Sequence, residues 1–379
     1  MDTTYSWHPG IVRVTPTWAI PVPLLPDEIL SSWIVRASLA HGCAPLVFTG
    51  EVWPGWRVWT TDVDRQPSLE RLQRISTMSG IPLAAFLKAT LAPIATKITA
   101  RDLPEKALWP WITAVGARNR KRRGGMQYCP ACLNGDKQPN FRIQWRFSWH
   151  TSCSIHLCQL LDRCPSCRSP LEPHRALPEY GSISVCPTCR EDLRCHGQPI
   201  ADADALQFQL AADQVVLQRT GLVGEQQLPV SLWMEVAHFY AATLKRFIRS
   251  PSPAVASFLK SAGLKTSADY QSDSLALEML GVAERTRLFG DVGRLMTMPL
   301  RQIAELMELS GISRQGACPK DCRIPLVIRE SMEQLRDASR IKQRARKSGS
   351  STHVTQPRSR REVDRVMAGL RRRLAMRRL

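Results

Sequence analysis

The chain has 379 residues, 44% of them hydrophobic, and a formal net charge of +19. That apolar content argues against a disordered chain, and the length predicts two or three domains rather than a single core. The charge favours polyanionic partners over acidic ones, and no stretch reaches the ~18 consecutive apolar residues of a membrane span.

The basic excess is unevenly placed. From Arg336 to Leu379 there are 15 Lys/Arg and 3 Asp/Glu, a net +12, which leaves +7 for the first 335 residues. Residues 1–30 lack a basic leader, and Pro21 and Pro23 break the apolar stretch Trp18–Leu25, so a cytoplasmic protein is expected. Twelve cysteines in that compartment read as metal ligands and buried thiols rather than disulfides.

Residues 1–25 are rich in Pro and Trp and read as extended. A helix is expected from Pro26 or Asp27, because Leu30, Trp33, Ile34 and Ala37 recur at helical spacing; His41-Gly42 ends it. A loop carrying Trp53, Trp56 and Trp59 follows. Ser68 is placed to cap a second helix with Leu69, Leu72 and Ile75, stopped at Ser79-Gly80. Pro82 opens a third, with Leu83, Phe86 and Leu87 on it. Most of the tryptophans, including Trp109, Trp111, Trp145 and Trp149, are expected to fill a core, with one or two left to stack on a partner.

Residues 118–125 form a basic hinge, and 126–196 hold nine of the twelve cysteines among many turn residues. Helical patterning returns over 205–335. Leu232, Val236, Phe239, Tyr240, Thr243, Leu244 and Phe247 trace one apolar face, and Leu288, Val292 and Leu295 begin another. Residues 299–313 have the pattern of a first helix and turn of a helix-turn-helix, with Ile303, Ala304, Leu306 and Met307 buried and Ser310-Gly311 turning; Pro319 cuts the following helix short. Residues 336–360 read as a flexible basic linker. Arg361–Leu379 reads as a last helix, with Val363, Val366, Met367, Leu370 and Leu374 on one side. The expected fold is mainly α with a small zinc-stabilised module. Its segments are an N-terminal helical domain at 1–117, a double metal-binding module with a basic lead-in at 118–197, a C-terminal helical domain at 198–335 and a basic tail at 336–379.

The chemistry concentrates in two cysteine patterns. Cys129-x2-Cys132 is followed after twenty residues by Cys153-x2-His156, and Cys164-x2-Cys167 after eighteen by Cys186-x2-Cys189. An x2 pair on a tight turn aims two side chains at one point, and two pairs close a tetrahedral Zn²⁺ site of the structural kind. Pro after Cys129, Cys164 and Cys186 stiffens those turns. In the first pattern His156 is favoured by its spacing, with Cys158 and His150 as alternatives. Cys43 is expected to be a core thiol. Cys195, His196, Cys318 and Cys322 lack a clean second pair and are not expected to form a third site. Four protein donors leave no position for water or substrate, so two structural zinc ions are expected and catalytic zinc is not. No Walker-type loop, G-x-S-x-G elbow, H-E-x-x-H motif or two-metal carboxylate cluster stands out, and the chain reads as a non-enzyme.

For nucleic acid, the candidate contacts are Arg118, Arg120, Lys121, Arg122 and Arg123 ahead of the first cysteine pair. In the tail they are Arg358, Arg360, Arg361, Arg371, Arg372 and Arg373. A solvated linker and a solubilising tail are the plain readings of the same residues.

The stretch Tyr128-Cys129-Pro130-Ala131-Cys132-Leu133, then Phe141-Arg142, Trp145, Cys153, His156, Leu160-Leu161, Cys164 and Cys167 resembles the zinc region of the TniQ family. Leu25-Pro26-Asp27-Glu28-Ile29-Leu30-Ser31-Ser32-Trp33, with Arg36, is similar to that family's opening motif. The resemblance covers most of residues 20–195; beyond 200 it is one of general character. It implies a bacterial, nucleoid-associated transposition accessory protein without chemistry of its own. Such proteins connect a target-recognising element to a AAA+ ATPase regulator of the TniB/TnsC kind, which recruits the transposase. Some members read DNA themselves and others attach to a CRISPR effector complex. The family's N-terminal domain is implied as the ATPase contact and a homodimer as one assembly. The alternative reading is a stand-alone zinc-containing DNA-binding regulator.

Overall fold

The computed structural model describes residues 18–101, 103–104, 107–115, 125–265, 275–318, 323–333, 335 and 367. The described residues up to Leu335 belong to one compact unit.

Five helices open the described chain: α1 (Leu30–Ala40), α2 (Pro45–Val52), α3 (Leu69–Ser79), α4 (Leu83–Lys88) and α5 (Ala92–Thr99). The apolar positions of α1 bury as their spacing requires, and Trp33 packs edge-on to Phe86 at 4.8 Å. Ser68 Oγ accepts from Arg71 N, and Gly80 ends α3 in the left-handed region at φ 74°, the conformation a residue without Cβ adopts most readily. α1 starts later than expected. Asp27 has φ 56°, Ile29 N donates to Phe141 O (3.0 Å) and Ile143 N to Asp27 O (2.7 Å). Those backbone groups are spent on a distant segment instead of a first helical turn. α2 lies where the sequence suggested a loop, and α5 follows the third expected helix. Pro45 and Pro93 fall in their first turns, where a missing N–H leaves no helical bond unmade.

The cysteine-rich stretch holds α6 (Pro130–Gly135), several single 3₁₀ turns, and a two-stranded ladder of β1 (Ser152–Cys153) with β2 (Cys158–Gln159). Next come α7 (Ala203–Gln218), the hairpin β3 (Thr220–Val223) and β4 (Gln226–Pro229), α8 (Val230–Arg249), α9 (Pro253–Ser261) and α10 (Val282–Thr297). The predicted faces of α8 and α10 are buried, apart from a half-buried Leu232. The hairpin interrupts what read as continuous helix. It turns at Gly224, whose φ is 54° and where a Cβ would stand 2.8 Å from Met298 O, so both conformation and space require glycine.

α11 (Leu300–Leu309) buries Ile303, Ala304 and Met307, turns at Gly311 and leads into α12 (Arg314–Ala317) and α13 (Leu326–Ser331). The first helix and turn of the helix-turn-helix pattern are therefore present, but the helix after the turn has only four residues. The expected tail helix falls among undescribed residues, except Met367.

One small core, around Leu30, Trp33, Ile34, Phe48, Leu72, Ile75 and Phe86, belongs to the N-terminal helices. A second runs unbroken from α5 and Trp109 through the cysteine-rich stretch to α13. Trp111 stacks on Phe289 at 5.9 Å, and Phe289 on Phe208 at 5.1 Å, so an indole from before the cysteines sits in the packing of α7 and α10. Of the tryptophans named from sequence, Trp53, Trp109, Trp111, Trp145 and Trp149 are buried, while Trp56 and Trp59 are half-buried. No helix among the described residues is long and apolar enough to cross a membrane.

Candidate metal centres

Cys129 caps α6, with Pro130 in its first turn, and Cys132 N donates to Cys129 Sγ at 3.4 Å. The second half-site repeats that bond on a hairpin: Cys153 ends β1, and His156 N donates to Cys153 Sγ at 3.4 Å. The i+3 amide-to-sulfur bond is the local reason for x2 spacing, because it folds both donors of a pair to one side. His156 Nδ1 lies 3.6 Å from Cys129 Sγ, 3.3 Å from Cys132 Sγ and 3.5 Å from Cys153 Sγ; Cys132 and Cys153 sulfurs are 3.6 Å apart. A tetrahedral zinc with Zn–S of ~2.3 Å and Zn–N of ~2.0 Å requires edges of roughly 3.8 and 3.5 Å. The donor set fits that ion.

The second cluster is Cys164, Cys167, Cys186 and Cys189, with Cys164–Cys189 at 3.6 Å and Cys167–Cys186 at 3.8 Å. Its halves are near copies. Cys164 N donates to Ser169 O and Arg168 N to Cys164 O; Cys186 N donates to Glu191 O and Arg190 N to Cys186 O. Arg168 and Arg190 both take positive φ, 60° and 66°. Backbone amides of Ser166 and Cys167 bond Cys164 sulfur, and those of Thr188 and Cys189 bond Cys186 sulfur. These two clusters are the groups among the described residues that could hold a metal ion.

The alternatives for the first cluster separate. His150 Nε2 sits 2.9 Å from Asp213 Oδ1, which also accepts Trp149 Nε1 at 2.8 Å, so His150 is engaged elsewhere. Cys158 Sγ lies 3.7 Å from Cys129 Sγ, at the edge of the cluster. Outside both, Cys43 Sγ faces Ser38 O at 3.6 Å, Cys195 is exposed and His196 Nε2 lies 3.4 Å from Glu191. Arg118, Arg120, Lys121, Arg122, Arg123, Arg358, Arg360, Arg361, Arg371, Arg372 and Arg373 lie outside the described residues, as does Cys322.

Charge around the first cluster is supplied by Arg142. Burial disfavours its charge, but Cys132, Asp136 and Cys153 more than restore it. Its guanidinium bonds Asp136 at 2.9 Å and lies 5.1 Å from the centroid of the Trp145 ring.

Two polar networks not anticipated from the sequence tie the N-terminal helices to this region. Arg146, 0% exposed, bonds Asp62 at 2.6 Å, Asp64 at 2.7 Å and Thr113 O at 3.0 Å, while Asp64 also accepts from Ser31 N and Oγ. Burial pushes the Asp64 carboxyl up to about 6 against the pull of Arg146, with Asp62 adding to the rise. Glu28 accepts from Leu25 N, Ser32 Oγ and Arg36 Nη1, and Ser32 Oγ in turn accepts from Phe141 N at 2.9 Å. Burial raises the Glu28 carboxyl despite Arg36. Ser32 and Arg36 lie one turn apart on α1 and Glu28 precedes its N-cap; Arg36 also donates to Gln138 Oε1, and neither Gln138 nor Phe141 carried a local signal.

The segments read separately as an opening motif and a cysteine motif are thus bonded to each other. Helices pinned to two closed cysteine clusters that could hold zinc define the class of this protein: mainly helical, with a small metal-binding module. The TniQ family model matches residues 19–160, from just before α1 to the strand after the first cluster. The match supports an accessory role associated with transposition. Among proteins with curated descriptions, none matches closely enough to lend it a more specific role.

Proposed function

We propose that this chain is a non-catalytic accessory protein that chooses the insertion site of a transposable element. It links target DNA, directly or through a CRISPR effector complex, to a AAA+ regulator and thereby to the transposase. The observation that carries the reading is the TniQ match over the span whose two motifs the structure joins. Cys129, Cys132, Cys153 and His156 hold one structural zinc, and Cys164, Cys167, Cys186 and Cys189 another. Four protein donors at each leave no position for a reacting water, and metal binding contributes directly to folding. Arg118–Arg123 and the arginines of the tail supply phosphate contacts.

The test is binding. A chain whose Arg120, Lys121, Arg122 and Arg123 are changed to Gln should lose up to ~3–4 from the slope of log affinity against log salt, about 0.9 per phosphate contact. An unchanged slope removes those residues from the interface. Co-purification with a AAA+ regulator of the TniB/TnsC kind is expected; its absence would leave the stand-alone zinc-containing DNA-binding regulator as the better reading.

A further inference from the structure

The first cluster contains one donor more than a tetrahedral ion uses. β1 and β2 pair antiparallel with Cys153 directly opposite Cys158, and residues opposite one another in such a ladder project their side chains to the same face. The face that carries Cys153 toward Cys129 and Cys132 therefore carries Cys158 as well. Its sulfur is 3.7 Å from Cys129 Sγ, the edge length of a zinc–thiolate tetrahedron, although Cys158 stands outside the set of four mutually close donors. His156 is the exposed member of that set, on the turn between the strands, whereas Cys129, Cys132 and Cys153 are buried. The donor nearest solvent is the one with a thiol waiting beside the site.

We propose that Cys158 is a reserve ligand: when His156 leaves the metal, Cys158 takes its place, and the centre passes from three thiolates and an imidazole to four thiolates without losing its ion. The exchange balances simply. The metal–imidazole bond breaks, a metal–thiolate bond forms, the thiol proton goes to water, and no oxidant or reductant takes part. Zinc accepts both donor sets at the same coordination number. The site gains one negative charge, and Arg142, bonded to Asp136 at 2.9 Å, is the cation placed to offset it. This inference rests on the proposed zinc occupancy.

Metal content per full-length chain tests it. The native chain and Cys158→Ser should each bind two zinc ions, His156→Ala should still bind two, and the double variant His156→Ala/Cys158→Ser should bind one. With cobalt(II) in place of zinc, His156→Ala should gain sulfur-to-metal charge-transfer absorption over the native chain, since one more thiolate coordinates. Alkylation followed by peptide mass mapping should label Cys158 in the metal-loaded native chain and spare it in metal-loaded His156→Ala. A His156→Ala chain that binds one ion, or that no longer folds, overturns the reserve role while leaving the two-zinc reading intact. A native chain with no bound metal overturns both.

Discussion

The two cysteine clusters have the same number of donors but are built differently. The second consists of two copies of one local turn, Cys-Pro-Ser-Cys-Arg-Ser and Cys-Pro-Thr-Cys-Arg-Glu, each closed by hydrogen bonds within six residues. The first joins unlike halves, a capped helix and a strand end, and draws its walls from distant chain. Gln209 of α7, buried, accepts from Thr151 N and Ser152 N and donates to Ser152 O, while Phe141 beside the cluster accepts from Ile29 N and donates to Ser32 Oγ. A metal centre made of repeated turns depends mainly on its ligands. One made of unlike parts also depends on the fold that presses those parts together, and it supports that fold in return.

The largest expected effect tests that asymmetry. Cys132→Ala should lose one ion and cooperative thermal melting of the whole chain. A structural zinc contributes on the order of 10 kcal/mol, comparable to the entire stability of a domain. Cys189→Ala, at an exposed ligand, should also lose one ion yet keep the near-ultraviolet circular dichroism of the aromatic packing among α7, α8 and α10. Equal collapse of both variants would end the distinction.

Next comes Arg146→Ala, which strands the buried Asp64 without its cation, while Asp62 keeps Arg65 at 3.4 Å. Breaking a buried ion pair from one side costs about 3–5 kcal/mol, readable as a lower urea midpoint. Arg175→Ala, within the loop of the second cluster and 60% exposed at its side chain, should shift the midpoint by less than ~1 kcal/mol. Gln209→Ala removes three hydrogen bonds to Thr151 and Ser152 and should cost about 2–4 kcal/mol, with faster amide exchange at those two residues before any change near Cys186.

The smallest effect is a pH slope. The Asp64 carboxyl is raised from 3.8 to about 6, so between those values the folded chain binds more protons than the unfolded chain. This group's contribution to stability therefore falls as pH rises through that window. Asp64→Asn should flatten the difference, measured as urea midpoints of variant and parent at matched pH. A steeper slope in the variant would assign the pH dependence to other groups.

Much of the helical framework was legible because its causes are local. Ser68 and Gly80 bound α3, and the apolar spacing along α1, α8 and α10 named their buried faces. α2 and α5 were missed because each has only eight residues, too few periodic positions to name a buried face. The β3–β4 hairpin was missed because its turn rests on one glycine lodged against Met298 and Pro299, a neighbour far along the chain.

The same division holds at the metal centres. Four x2 pairs were determined by sequence alone, since an amide three residues on bonds the first sulfur of a pair whatever surrounds it. The single core running from Trp109 to α13, and the bonding of Glu28, Ser32 and Asp64 to residues 36–146, were decided by tertiary structure. So was the standing of Cys158 beside Cys129, with His150 turned to Asp213 instead. Spacing sets which donors can share a turn; which turns meet depends on packing between segments that carry no mark of one another in the sequence.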